Sequence, residues 1–398
     1  ILCHMAKLIV KLKQHTPLLH FQHRQQGATL RATEVKPKLD RFIRMIYEQN
    51  SPKKELKPNW LIKKGASALD YKMLISLESE ERKEYWVTHQ TSQKQRTPNY
   101  LTLIRKSPYF AQMEDDDKLR KSFDKQQFGV QKWNEIGKKG LTWSMPVKIT
   151  FFSLHADLLK VIEKYIEDFF ICTNFGVRSD KGFGCFTVIS DDKLPLEEKV
   201  DNTLRKYFEF AYKRSEPIEK NDERMNVIFR IITDDFSKIR KYMETYVQKN
   251  KFGRSLEWDR SYFKKIVKGD SADAKDYVYV SGLLGLPSLY SYSKLPGEPT
   301  VRITVNSAGS DQIERFPSPI LFKVIGDLIY IVGNTCDVNC MFDKTIKVDC
   351  STSESNKTSY LQTPKTFDLK DYIKCAISGK QLNYKRITEK NQNNQYHK

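Results

Sequence analysis

The stretch PVKITFFSLHADLLKVIEKYIEDFFICTNFGVRSDKGFGCFTVI, Pro146 to Ile189, decides how the chain is read. Pro146 to Leu154 is rich in β-branched and aromatic residues and reads as a strand. Asp157 to Phe170 places Leu158, Leu159, Ile162, Ile166 and Phe169 on one face of a helix. Phe175 to Gly184 is a glycine-rich loop, and Cys185 to Ile189 a second strand. Strand, helix, loop and strand within about 45 residues make half of a ferredoxin-like α+β unit.

Upstream, Lys7 to Lys13 alternates apolar and basic residues, as a strand does, and His15 to Thr29 reads as a loop. Pro37 suits a first helical turn, where its missing N–H costs nothing. Leu39, Phe42, Ile43, Ile46 and Tyr47 follow on one helical face. Ser51 to Asn59 is a linker. From Gly65 to Gly140 the signal is weak: strand-like at Tyr71–Leu77 and Tyr100–Ile104, helical near Lys118–Phe128. Downstream, Glu197–Lys213 reads as a helix and Arg214–Glu223 as a boundary. Asn226–Thr233 then reads as a strand, Ser237–Val247 as a helix and Thr300–Asn306 as a strand. Ile320–Val332 is a strand pair turning at Gly326-Asp327, and Leu369–Ile377 a closing helix. The expectation is an α+β protein of tandem ferredoxin-like (RRM-like) domains with insertions, at 5–213 and 224–387. A disordered tail is expected at 388–398.

With 398 residues, 39% of them hydrophobic and 12% aromatic, the chain has material for a real core. Its formal charge is +19, from 68 Lys and Arg against 49 Asp and Glu. The first 64 residues hold 14 bases and 4 acids, and the tail from Lys374 to Lys398 holds 6 bases and one acid, so the excess is directional. Such an excess points to a polyanion, because each neutralised phosphate releases counterions. An acidic protein partner is a different reading of the same charge. No membrane partner is expected: the most apolar stretch, Pro319 to Gly333, is short and interrupted by Lys323 and Asp327. Ile1 to His4 read as a remnant ahead of a native start at Met5, with no signal peptide. Seven widely spaced cysteines fit reduced thiols in a cytoplasm.

Two motifs carry the chemistry. In Gly176-Val-Arg-Ser-Asp-Lys-Gly-Phe-Gly184, glycines permit positive φ and close approach, so backbone N–H groups can cradle phosphate while Arg178 and Lys181 supply countercharge. The same spacing also serves a tight connection. It is no Walker loop, since no Gly-Lys-Ser/Thr ends it. In Leu30 to Arg44, Lys36 and Lys38 flank a helix N-terminus and Arg31 precedes it, which makes an anion site; a solvated basic helix end fits equally. His15, His20 and His23 cluster nearby and suit general acid/base chemistry, or else packing and loop positions. Cys336, Cys340 and Cys350 lack a fourth ligand for zinc. The run Glu114–Asp117 reads as a solvated face. Tyr277, Tyr279, Tyr290 and Tyr292 serve stacking or sheet packing. No metal and no cofactor is expected.

Thr16-Pro17 after a first strand, then Leu30-Arg31, Val35-Lys36, Arg41-Phe42 and Arg44, then Gly176, Arg178-Ser179 and Gly182-Phe183-Gly184, resemble the RAMP superfamily of CRISPR proteins. The order is most similar to the first RAMP subunit of the Cmr (type III-B) effector complex. There the helix usually reads Arg-Phe-Trp-Trp-Arg and the loop Arg-Ser-Arg-Arg-Gly-Phe-Gly. Here Ile43 replaces one tryptophan, Asp180-Lys181 the arginine pair, Pro37 a glycine and Glu34 a serine. In the second half, Arg315-Phe-Pro-Ser-Pro319 adds to the resemblance. It implies tandem ferredoxin-like domains that hold guide RNA (crRNA) near its 3′ region, dock onto other RAMP subunits and meet target RNA, in antiviral defence. The RNA-binding residues it implies are Arg24, Arg31, Lys36, Lys38, Arg41, Gly176, Arg178, Ser179, Lys181, Gly182 and Gly184. The alternative is a metal-independent endoribonuclease of repeat RNA using His15, His20 or His23.

Overall fold

The computed structural model describes residues 5–19, 29–50, 56–63, 65–79, 82–87, 138–143, 146–190, 194–220, 224–250, 278–285, 289–291, 300–306, 316–351 and 356–387. The readings at Tyr100–Ile104, Lys118–Phe128, Glu114–Asp117 and 388–398 lie outside them.

Strand β1 (Ala6–Gln14) is followed by β2 (Leu18–Leu19), helix α1 (Ala32–Asn50), β3 (Lys72–Leu77), β4 (Arg82–Val87), β5 (Lys138–Trp143), β6 (Val147–Ser153), helix α2 (Ala156–Cys172) and β7 (Phe186–Val188). One antiparallel sheet has the order β3-β6-β1-β7. Setting aside the inserted β2-β5-β4 sheet, this is βαββαβ with the last strand beside the first, the ferredoxin-like arrangement. Its core follows from the two periodicities. Val10 and Leu12 of β1 and Val147, Ile149 and Phe151 of β6 alternate inward, and α2 meets them with Leu158, Leu159, Ile162, Ile166 and Phe169.

The second half repeats this grammar. Helix α3 (Leu196–Tyr207) precedes β8 (Phe210–Arg214), helix α4 (Arg224–Asn250), β9 (Leu289–Ser291), β10 (Thr300–Asn306), β11 (Ile320–Ile325), β12 (Leu328–Gly333), β13 (Thr345–Ser351), β14 (Asn356–Gln362), helix α5 (Leu369–Gly379) and β15 (Tyr384–Arg386). The sheet order β11-β12-β8-β15 is again ferredoxin-like, and β14-β13-β10-β9 is a separate inserted sheet.

By compactness the chain forms two units. The first is 1–207 with 216–233 and 322–330; the second is 208–215, 234–321 and 331–398. In the second, Tyr372 and Tyr246 pack edge to face at 5.1 Å, the Tyr246 hydroxyl donates to Asp371, and the Tyr384 hydroxyl donates to buried Asp235.

Three expectations are corrected. Asn226–Thr233 is not a strand but the start of α4: Ile228, Phe229, Ile232, Phe236, Ile239 and Met243 are buried at helical spacing. A short apolar run looks alike in both states, and only its continuation separates them. The helix read over Glu197–Lys213 stops at Tyr207, because Phe210–Arg214 pairs with Tyr384–Arg386 as a strand. Helix α1 begins at Ala32, ahead of Pro37, with the Glu34 and Val35 amides donating to the Arg31 carbonyl. Pro37 therefore lies in the second turn and removes one intrahelical hydrogen bond, which the burial of Val35, Leu39, Ile43 and Ile46 outweighs.

Candidate nucleic-acid interface

The two sequence motifs, more than 130 residues apart, meet in the first unit. Arg31, immediately ahead of α1, and Glu34, Lys38 and Arg41 on it recur at helical spacing. Glu34 Oε1 accepts from the Gly176 amide at 2.7 Å and from Lys38 Nζ at 3.0 Å. Lys38 Nζ also donates to the Asn174 carbonyl at 3.1 Å and lies 5.0 Å from the Phe175 ring centroid. Arg41 is exposed, and Arg31 and Arg178 are half-buried.

The glycine-rich loop is anchored along its length. The Gly184 amide donates to the Pro17 carbonyl at 2.9 Å, and the Val177 amide to Leu19 at 2.8 Å. Asn174 Nδ2 donates to the carbonyls of Ser179 at 2.7 Å and Phe322 at 2.9 Å, while the Phe322 amide donates to Asp180. Phe183 stacks on Phe229 with centroids 4.0 Å apart. Of the two readings left open, phosphate cradle or tight connection, the space around the glycines favours the connection. A Cβ on Gly176 would stand 2.5 Å from the Leu19 carbonyl oxygen, and one on Gly184 closer still to that of Phe175. Both have positive φ, +80° and +62°. Gly182 faces the Ile232 side chain.

Several candidates stand elsewhere than expected. Lys181 is 5% exposed, and its Nζ pairs with Asp180 at 2.8 Å, because the loop folds inward beside Phe322. Lys36 turns to the other side of α1, pairing with Asp40 at 3.0 Å, donating to the Leu69 carbonyl and lying 3.8 Å from the Tyr71 ring centroid. With the helix starting at Ala32, neither lysine flanks its N-terminus; Glu34 occupies the first turn, where a carboxylate is favourable. Ser179 contributes its backbone carbonyl. Arg24, His20 and His23 lie outside the described residues.

His15 is 5% exposed. Its Nδ1 accepts from the Gly326 amide at 3.1 Å, which leaves Nε2 to donate to Thr187 Oγ1 at 2.8 Å. Burial, joined by the charges of Lys323, Lys13 and Arg224, lowers its pKa to about 3. A neutral, enclosed imidazole with both nitrogens engaged acts here as a structural pin between β1, β7 and the β11–β12 turn. The unfolded chain has the ordinary value of 6.5. Between the two values it binds the extra proton, so stability is full above pH 6.5 and is lost as pH falls towards 3. His15→Gln is expected to be less stable than the wild type at pH 7. That gap should narrow on acidification, because roughly 3 kcal/mol of wild-type stability titrates away by pH 4. Denaturation curves at pH 7, 5 and 4 check it; a constant gap would be contrary.

Sequence reasoning missed Lys323. It is 0% exposed and donates from Nζ to the carbonyls of Phe170 at 2.7 Å and Thr173 at 2.9 Å, at the C-terminal end of α2. A cation there meets orphan carbonyls and the negative end of the helix dipole. Burial brings its pKa down to about 8. The one signal was a lysine within an otherwise apolar strand.

Among the described residues no group of three or more His, Cys, Asp or Glu is arranged to hold a metal. Cys340 is exposed and Cys350 buried, and Tyr279 is buried in packing. No helix there is long and apolar enough to cross a membrane.

The sequence matches the model of the Cmr1 N-terminal domain over residues 5–243 and that of the Cmr1 C-terminal domain over 237–398. No curated protein matches it. Among solved structures, Cmr1 from Pyrococcus furiosus in its apo form is similar at 12% identity and a TM-score of 0.40, covering 96% of this chain and 98% of that one. With the two family models spanning residues 5–398 between them, the chain belongs to the Cmr1 family, a RAMP subunit of the Cmr type III effector complex.

Proposed function

We propose that this subunit holds guide RNA near its 3′ region by the backbone and docks onto the other RAMP subunits of a cytoplasmic antiviral complex. The observation that carries this reading is the convergence of α1 and the glycine-rich loop, joined by Glu34 to Gly176 and by Lys38 to Asn174. That convergence gathers Arg31, Lys38, Arg41 and Arg178 from distant parts of the sequence. The loop's glycines act by letting the chain pass close to Leu19 and Phe175, and so fix where Arg178 stands. Contacts of this kind position RNA without reading its bases, so binding is largely independent of sequence, and target RNA meets the subunit through the paired guide.

The test uses the full chain and a labelled RNA of guide length in EDTA, on native and denaturing gels. Wild type is expected to shift the RNA intact. Arg41→Gln with Arg178→Asn, the asparagine chosen because Arg178 has φ +60°, is expected to weaken binding. It should also flatten the plot of log affinity against log salt by about 1.5 units, roughly 0.7 per phosphate contact on a single strand. Unchanged affinity and slope would overturn the assignment; a defined cleavage product would replace it with an enzyme.

A further inference from the structure

The face of the first sheet turned away from the helices is a surface of different character. Alternation along β1 sends Val10 and Leu12 into the core and Lys7, Ile9, Lys11 and Lys13 outward, all four exposed. Cross-strand register sorts this face into rows. Lys7 of β1 and Lys72 of β3 stand on either side of Phe152 of β6. Ile9 and Leu74 stand on either side of Thr150, and Lys11 and Ser76 on either side of Lys148. Lys13 stands opposite Thr187 of β7.

The rows therefore run lysine–phenylalanine–lysine, then exposed isoleucine and leucine flanking a buried threonine, then lysine–lysine–serine. Lys7 Nζ is 6.0 Å from the Phe152 ring centroid. Ile9 is 46% exposed and Leu74 57%. Of these described strand positions five are lysine and none is acidic; Glu78, just past β3, pairs with Lys11 at 2.8 Å. Lys7 and Lys11 are four residues apart, about 13 Å along the strand, a span of roughly two nucleotides. An antiparallel sheet of this size commonly leaves one face to water with polar alternation. This one instead mixes an aromatic ring, aliphatic side chains and one sign of charge, the combination that takes unstacked bases and their phosphates. A duplex, whose bases are stacked inside, has no use for the ring or the apolar row.

We propose that this open sheet face is a second RNA site, which takes a short single-stranded segment with one base on Phe152 and its phosphates along Lys7, Lys13, Lys72 and Lys148. It is separate from the surface formed by α1 and the glycine-rich loop and goes beyond it.

The test is fluorescence anisotropy of the full chain with labelled decauridine across a potassium chloride series. Phe152→Leu, which keeps an apolar side chain, is expected to weaken binding about tenfold with the salt slope unchanged, as the loss of one stacked base does. Lys7→Gln with Lys13→Gln and Lys72→Gln, all at exposed positions, is expected to lower the slope by about two units, given roughly 0.7 per phosphate. A ten-base-pair RNA duplex should bind Phe152→Leu and wild type equally. Both losses are expected to persist in the Arg41→Gln/Arg178→Asn background, which separates failure here from failure of the loop reading. Unchanged affinity in both variants, an equal loss for duplex, or no decauridine binding by wild type would each overturn the proposal. So would capture of an acidic protein on this face while RNA affinity stays constant.

Discussion

Gly184→Ala is expected to yield no soluble, cooperatively folded protein, while Gly182→Ala does. At Gly184 the new Cβ would meet the Phe175 carbonyl, and the backbone cannot retreat: the Phe175 amide donates to the Gly184 carbonyl and the Gly184 amide to Pro17. A left-handed conformation adds about 1–2 kcal/mol for any L side chain. Clash and strain together exceed about 4 kcal/mol, the range reserved for diagnostic substitutions. At Gly182 the nearest atom is the flexible end of Ile232, 2.9 Å away, which can give. There the loss should be about 2–3 kcal/mol, read as a fall of roughly 4–12 °C in Tm for a unit of this size. Gly176→Ala, 2.5 Å from the Leu19 carbonyl oxygen, should fall between them. Soluble expression with circular dichroism melts orders the series. If Gly184→Ala folds with wild-type stability and loses only RNA binding, the glycine serves the ligand and the packing account is wrong.

Lys323→Ala should cost about 3–5 kcal/mol, or roughly 10 °C in Tm. Removing the side chain strands the carbonyls of Phe170 and Thr173 and opens a cavity between β11 and α2. Lys323→Met should cost less, about 1–2 kcal/mol, since it refills the volume and removes a buried charge together with its donors. The pH dependence separates the two contributions. The folded value of about 8 lies below the ordinary 10.5, so in that window the unfolded chain holds the extra proton. Wild-type stability should gain from this group as pH rises from 8 to 10.5, and Lys323→Met should lack that gain. Urea titrations at pH 7.5 and 10 read both effects. A loss under 1 kcal/mol for the alanine variant would contradict the capping role.

Local pattern carried much of the fold. Alternation in β1, the apolar stripe of α2, and the Gly326-Asp327 turn between β11 and β12 are short-range features, and each was legible because its period or turn chemistry is complete within its own segment. Where the pattern was truncated it misled. NVIFRIIT reads as a strand until its spacing is followed to Met243, and Pro37 drew the start of α1 too late because burial, which the sequence does not display, outweighed the lost hydrogen bond.

The site divides along the same line. Composition alone determined a basic chain whose excess gathers in the first 64 residues and again in the C-terminal tail, and the two motifs pointed to segments that the fold brings together. Which lysines face solvent was decided only by tertiary structure. Lys36 goes to Asp40, Lys181 to Asp180 and Lys323 to the carbonyls ending α2, while Lys7, Lys13 and Lys72 stand outside. A lysine carries the same charge wherever it lies in a sequence. Its role is set by the desolvation cost at its final position and by the partner that offsets it, and both exist only once the sheets have closed on their helices.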